Sequence, residues 1–147
     1  MKEFTLETEI WLRAPREQVF RFFADAANLQ ALTPDWLDFE ILTPQPIDLR
    51  PGALIDYRIR VHRIPIRWRT EIVTWEPPVR FVDIQLKGPY RLWHHTHEFH
   101  EHNGGTLCRD LVRYSPIGGT LANRLFVRRD VERIFQFRQA QLRKRFG

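Results

Sequence analysis

The stretch WHHTHEFHEHNGGTLCRDLVRY, residues 93–114, reads as two strands joined by a tight turn. Asn103-Gly104 is a strong hairpin signal, because a type I′ turn needs positive φ at both central residues. With those two at the turn, His102 faces Gly105. Phe99 then opposes Cys108, His97 opposes Asp110, His95 opposes Val112 and Trp93 opposes Tyr114. Shifting the turn to Gly104-Gly105 moves each partner by two but leaves the faces unchanged. One face collects Trp93, Phe99, Cys108, Val112 and Tyr114 and must look into a core. The other carries Glu98 opposite Arg109, His94 opposite Arg113 and Thr96 opposite Leu111. The histidine-rich run therefore divides into inward His95 and His97 and outward His94, His100 and His102.

Working outward, more strands flank this hairpin. FTLETEIWL (4–12) alternates Phe4, Leu6, Ile10 and Leu12 with polar positions. LDFEILT (37–43), ALIDYRIRV (53–61), IRWRTEIVTW (66–75) and RFVDIQL (80–86) follow, separated by turn residues at His62–Pro65, Glu76-Pro77-Pro78 and Lys87–Tyr90. Between the first strand and the rest, residues 15–34 carry Val19, Phe22, Phe23 and Leu29 at helical spacing. They read as two short helices, opened by Pro15 and with Asp25 or Asn28 as the second cap. A last helix spans about Leu121 to Arg145. The order β-αα-β(×6)-α predicts an α+β fold, a curved antiparallel sheet of about seven strands around a long C-terminal helix. A curved sheet gripping a helix encloses a hollow suited to a ligand.

At 147 residues, 43% of them hydrophobic and 13% aromatic, the chain is expected to fold as one domain, residues 1–147. The single cysteine, Cys108, excludes an intrachain disulfide. MKEFTLETEI has no secretory apolar run, and no stretch nears the ~20 apolar residues of a membrane span. A cytoplasmic protein is therefore expected. The net charge of +5 is concentrated: residues 119–147 hold eight arginines or lysines and two acids, and the remainder is nearly neutral. No nucleic-acid recognition motif accompanies this basic helix, so no nucleic-acid partner is expected.

On that helix Leu121, Leu125, Val127, Val131, Ile134, Phe135, Leu142 and Phe146 form one broad apolar side, expected to roof the hollow. Arg138 falls within it and either snorkels out or reaches an inward carboxylate or an acidic ligand. Phe126 and Phe137 fall on the far side among cations. They are compatible with peripheral membrane contact or a homodimer seam, although a monomer with a solvated helix face explains them more simply.

His95-x-His97 places two imidazoles on one face of a strand, a spacing used for zinc and iron. HTHEFHE also matches the H-x-H-x3-E core of cupins, but the rest of that pattern is missing, so neither metal nor another cofactor is expected. A His97–Asp110 pair would suit general base catalysis, with Asp110 fixing the tautomer; the same pair also reads as a buried histidine satisfied by a carboxylate. In RFVDIQL, Phe81, Asp83 and Gln85 are taken as inward, beside His95, with a plain Val82-Ile84-Leu86 core strand as the alternative.

RAPREQVFRFFADAANLQALTPDW, the central WRTEIVTWEPPVRFVDIQLKGPYRLWHHTHEF, GGTLCRDLVRYSPIGG and the long last helix together resemble the SRPBCC or START-like superfamily. This is the helix-grip fold of polyketide cyclases/dehydrases, coenzyme Q-binding proteins and lipid-transfer domains. The resemblance spans essentially the whole chain. It implies a hydrophobic cavity and a hydrophobic small-molecule partner, and no universal catalytic motif comes with it. The leading expectation is binding of a lipid, quinone or polyketide-like molecule. Tyr57, Trp68, Phe81, Trp93, Phe99, Tyr114 and Phe135 would supply apolar surface. Asp83, Gln85, His95, His97, Asp110 and Arg138 would supply polar groups. The alternative is a cyclase, aromatase or dehydratase that moves protons through His97 and Asp110.

Overall fold

The structure, a computed structural model, describes residues 2–147. Seven antiparallel strands form one sheet in the order β1-β7-β6-β5-β4-β3-β2. They are β1 (Phe4–Leu12), β2 (Glu40–Ile41), β3 (Leu54–Val61), β4 (Ile64–Glu76), β5 (Arg80–Lys87), β6 (Tyr90–His102) and β7 (Gly105–Pro116). Helix α1 (Arg16–Phe23) and a 3₁₀ segment (Ala26–Leu32) link β1 to the rest. The chain ends in a continuous helical run made of α2 (Gly119–Ala122), a π turn (Asn123–Val127) and α3 (Arg128–Phe146). The expected α+β helix-grip architecture is what the structure shows.

The 93–114 hairpin has the anticipated register. His102 pairs with Gly105, His97 with Asp110 and Trp93 with Tyr114, and Asn103 and Gly104 both adopt positive φ, 47° and 75°. Asp25 caps the 3₁₀ segment, its Oδ1 accepting from the Ala27 N–H at 3.0 Å. Two expectations need correction. The 37–43 strand shrinks to Glu40–Ile41, because Asp35–Leu37 closes a 3₁₀ turn that ends with Asp38 in the left-handed region. The β3–β4 turn is only His62-Arg63, both at positive φ, so β4 begins at Ile64 and contains Pro65. Pro65 is tolerated because β5 pairs with β4 only from Arg69 onward, leaving that end of β4 an open edge.

The core lies between sheet and helix. Ile10, Leu12, Val19, Phe20, Phe22, Phe81, Phe99, Leu142 and Phe146 pack together at one end, locking α1 and the C-terminal half of α3 to the sheet. Val131, Phe135, Arg138, Leu142 and Phe146 are the buried face of α3. Leu121 and Leu125, expected on that face, are exposed instead. The π turn is the reason. Its wider i→i+5 winding rotates the preceding residues by roughly a quarter-turn relative to a regular helix. Asn123 swings inward, where its Oδ1 accepts the Tyr114 hydroxyl at 2.7 Å, and the leucines swing out. Among the described residues no helix is long and apolar enough to cross a membrane.

Candidate functional site

A cavity of about 830 Å³ separates the concave face of the sheet from the helix. Strand alternation positions its walls. On β6 the inward residues are Trp93, His95 and His97; on β5, Phe81 and Asp83; on β3 and β4, Tyr57, Trp68 and Thr70. Phe135 and Arg138 hang from α3.

The inner end of the cavity holds a stack of rings inside a ring of charges. Phe81 stacks on His97 with centroids 3.9 Å apart, and His97 stacks on His95 at 3.6 Å. Asp83 Oδ2 lies 2.6 Å from His97 Nε2, and Asp110 Oδ1 lies 2.7 Å from His95 Nε2. Arg138 Nη2 reaches both His97 Nδ1 and Asp110 Oδ1 at 3.2 Å. The inward reach of Arg138, one of the two options for it, is thus realised.

These contacts assign the protons. A guanidinium only donates, so His97 Nδ1 is an acceptor and the proton of a neutral His97 sits on Nε2, donated to Asp83. Burial holds His97 well below the usual imidazole pKa, and the neighbouring His95 and the Arg138 guanidinium add to the effect. Burial pushes the Asp110 carboxyl up, but Arg138 and the His95 hydrogen bond outweigh it and hold the group well below the usual carboxylate range. Asp83 goes the other way: burial raises it, only partly offset by His95 and Arg138. The two carboxylates are thus shifted in opposite directions, Asp110 downward by its partners and Asp83 upward by burial.

The anticipated His97–Asp110 pair is corrected in its connectivity. Asp110 Oδ1 is 3.5 Å from His97 Nδ1 and bonds His95 instead. His95 faces Asp83 in register but leaves its hydrogen bond to His97. Both carboxylates bond the diagonal histidine, because strand twist brings diagonal neighbours together on a concave face. Asp83, His95 and His97 could each offer one metal-ligating atom, all within 4.8 Å of one another. Arg138 donates to His97 Nδ1, however, which leaves the proton of a neutral His97 on Nε2, the nitrogen that faces Asp83.

Toward the mouth the walls become aromatic. Tyr57 and Trp68 stack at 5.7 Å, Trp93 meets Trp68 edge-on at 5.4 Å, and Tyr90 lies 4.9 Å from Trp93. Among the described residues, Trp68 Nε1 and Arg138 Nε are buried donors without a partner. The exposed lining residues Trp36, His62, Arg63 and Arg133 put the mouth between the β3–β4 turn and the helix. There His62 Nε2 is 2.8 Å from Asp130 Oδ2, and the Arg133 guanidinium sits 5.1 Å over the Trp36 ring.

Of the residues anticipated at the site, four do not line the cavity: Asp110 reaches it only through His95 and Arg138, and three are elsewhere. Phe99 is sealed in the core against Phe20 and Phe23. Tyr114 is fully buried and spends its hydroxyl on Asn123. Gln85 has the inward parity, but its amide closes the β5–β6 turn, donating to the Tyr90 carbonyl at 2.7 Å. Phe137, read as exposed, is partly covered by Trp36, their ring centroids 6.0 Å apart. Tyr90, Phe23, Trp36 and Arg133 line the cavity without having been anticipated. A register irregularity between Tyr90 and Leu92 brings Tyr90 onto the inward side, and a bulge has no reliable sequence mark.

A twisted antiparallel sheet closed by a terminal helix over a mixed aromatic and polar cavity defines a helix-grip, Bet v 1-like protein. The chain belongs to the polyketide cyclase / dehydrase and lipid transport family, whose profile matches residues 12–141. Protein Ms6760 from Mycobacterium smegmatis superposes with a TM-score of 0.76 at 18% identity, over 97% of this chain and 90% of that one. Ara h 8.0201 gives 0.68 at 14% identity, over 96% and 95%. The di-domain ARO/CYC BexL of the BE-7585A biosynthetic pathway gives 0.73 at 18% identity, over 99% of this chain and 50% of BexL. At these identities the likeness carries the fold. No curated protein matches the sequence.

Proposed function

We propose that the chain binds one hydrophobic or aromatic small molecule, lipid-, quinone- or polyketide-like, in the cavity between sheet and terminal helix. The observation that carries this reading is a cavity of about 830 Å³ with aromatic walls near the mouth and a hydrogen-bonded polar network at the inner end. Such a division suits a ligand with a flat apolar body and a few oxygen substituents. Trp93 touches both ends, 5.4 Å from Trp68 and 6.4 Å from His95. Trp93→Ala is expected to weaken binding of a hydroxyanthraquinone probe at least about tenfold while the protein stays folded, since Trp93 is half-buried and deletes wall rather than core. Titration by fluorescence quenching, with circular dichroism as the folding check, measures this. Unchanged affinity in a folded variant would remove Trp93 from the site.

A second reading has its own support. Asp83 lines the cavity 2.6 Å from His97, and burial raises its carboxyl from the ordinary value; both support a role for it as proton acceptor, with Arg138 nearby to offset developing negative charge. In that reading the family's cyclase or dehydratase chemistry runs through Asp83 and His97, with Asp110 holding His95 and Arg138 in place. His97→Gln separates the two readings. A binder keeps its affinity for the probe within a few-fold, whereas a proton-transfer enzyme loses turnover about 10²-fold or more.

A further inference from the structure

The rim of the cavity carries apolar side chains that neither the core nor the cavity uses. Ile117, at the end of β7, is 59% exposed; Leu121, Leu125 and Phe126, at the start of the terminal helix, are 66%, 55% and 59% exposed. Ile64, 62% exposed, stands on the β3–β4 hairpin beside His62 and Arg63, which line the mouth. The His62–Asp130 contact ties that hairpin tip to the helix one turn beyond Phe126. Ile117 and Val127 line the cavity beside these residues, so the exposed side chains border it on this side.

The exposure is built into the helix. A regular α-helix would turn Leu121 toward the sheet. The π turn sends it outward with Leu125 and puts Asn123 in its place, held by the buried Tyr114 hydroxyl. Single exposed leucines need no explanation, but four large apolar residues within ten positions, bordering a cavity mouth, mark a contact surface. The charges around them say what it meets. Arg124 and Arg129 are exposed among these residues, Arg63 stands across the mouth, and residues 119–147 hold eight basic and two acidic side chains. Two copies facing each other through this rim would set arginines against arginines, whereas an anionic lipid surface complements them.

We propose that the rim docks on an anionic bilayer. Ile117, Leu121, Leu125 and Phe126 enter the headgroup boundary, and Arg124 and Arg129 meet lipid phosphates. With the mouth at the membrane, an apolar ligand could enter the cavity without crossing water; that consequence rests on the ligand-binding reading, while the docking itself does not.

Co-sedimentation with vesicles of phosphatidylcholine alone, and of phosphatidylcholine mixed with phosphatidylglycerol, tests it. The protein should pellet with the mixed vesicles, and salt should release it. Leu125→Ser with Phe126→Ser should weaken that partition at least about tenfold by removing the inserted apolar area. Arg124→Gln with Arg129→Gln should weaken it by about tenfold through lost attraction to the charged surface. Val79→Ser, changing a 42% exposed apolar residue between β4 and β5, at the opposite end of β4 from the β3–β4 turn, should leave it unchanged. All these positions are exposed, and thermal melts would confirm that the variants fold. Failure to pellet with the mixed vesicles, or equal partition into both compositions unmoved by the arginine changes, would overturn the proposal. So would a dimer in sedimentation velocity that Leu125→Ser/Phe126→Ser abolishes in a chain that ignores vesicles, which would make the rim a self-association face.

Discussion

Arg138→Met is expected to cost the fold about 3–5 kcal/mol, one of the two largest single-residue effects in this protein. Arg138 is 7% exposed, and its guanidinium lies 5.0 Å over Phe23 and 5.8 Å from the Phe135 ring. Its Nη2 serves His97 and Asp110 together. Removing it leaves the Asp110 carboxylate buried with only His95 as a partner, and a buried charge stripped of its counter-charge is far costlier than a pair removed whole. Methionine fills much of the volume, so the loss reports charge rather than a void. Urea denaturation of the single variant and of Arg138→Met with Asp110→Asn makes the comparison. The double variant should recover a substantial part of the loss, because neutralising Asp110 removes the stranded charge. A single-variant cost below about 1 kcal/mol would mean that solvent reaches the network and that the ordered proton arrangement around His97 does not hold.

Phe99→Ala should be comparably severe, about 3–5 kcal/mol. Phe99 is 1% exposed, and its ring lies 5.2 Å from Phe20, 5.1 Å from Phe23 and 6.1 Å from Phe81. Four aromatic rings from α1, β5 and β6 meet there, so a void at Phe99 cannot close without moving the helix off the sheet. At temperatures where the variant is folded, affinity for the hydroxyanthraquinone probe should stay within a few-fold of the parent, since Phe99 does not reach the cavity. An unchanged unfolding midpoint together with lost binding would reverse that assignment and return Phe99 to the cavity wall.

The two effects together describe how the site is supported. Phe99 and its neighbours pin α1 to the sheet, and α1 presents Phe23 to both the core and the cavity. Arg138 crosses from helix to sheet and couples α3 to β6 and β7 through His97 and Asp110. The polar network is therefore also a structural tie. That is why the conservative His97→Gln, rather than removal of Arg138, is the change to use when asking about chemistry.

Sequence alone determined what depends on local periodicity and on turn chemistry. Asn103-Gly104 could form only a tight turn, and a two-residue strand period then placed His95, His97 and Asp110 on the inner face and Glu98 and Arg109 on the outer one. The element order around that hairpin was enough for an α+β sheet-and-helix fold. Tertiary structure alone decided what depends on distances across strands and on departures from regular geometry. Sheet twist joined Asp110 to His95 and Asp83 to His97 along diagonals, where register alone suggested direct partners. A π turn, which no periodic pattern announces, exchanged Leu121 for Asn123 on the buried face. The depth of the cavity sorted two residues of the same strand face, leaving Trp93 at the wall and Phe99 in the core. The sequence records which way a side chain points, because that follows from the residue's own backbone. How far it lies from the next element depends on packing by the whole chain, and the contacts of the site are set at that level.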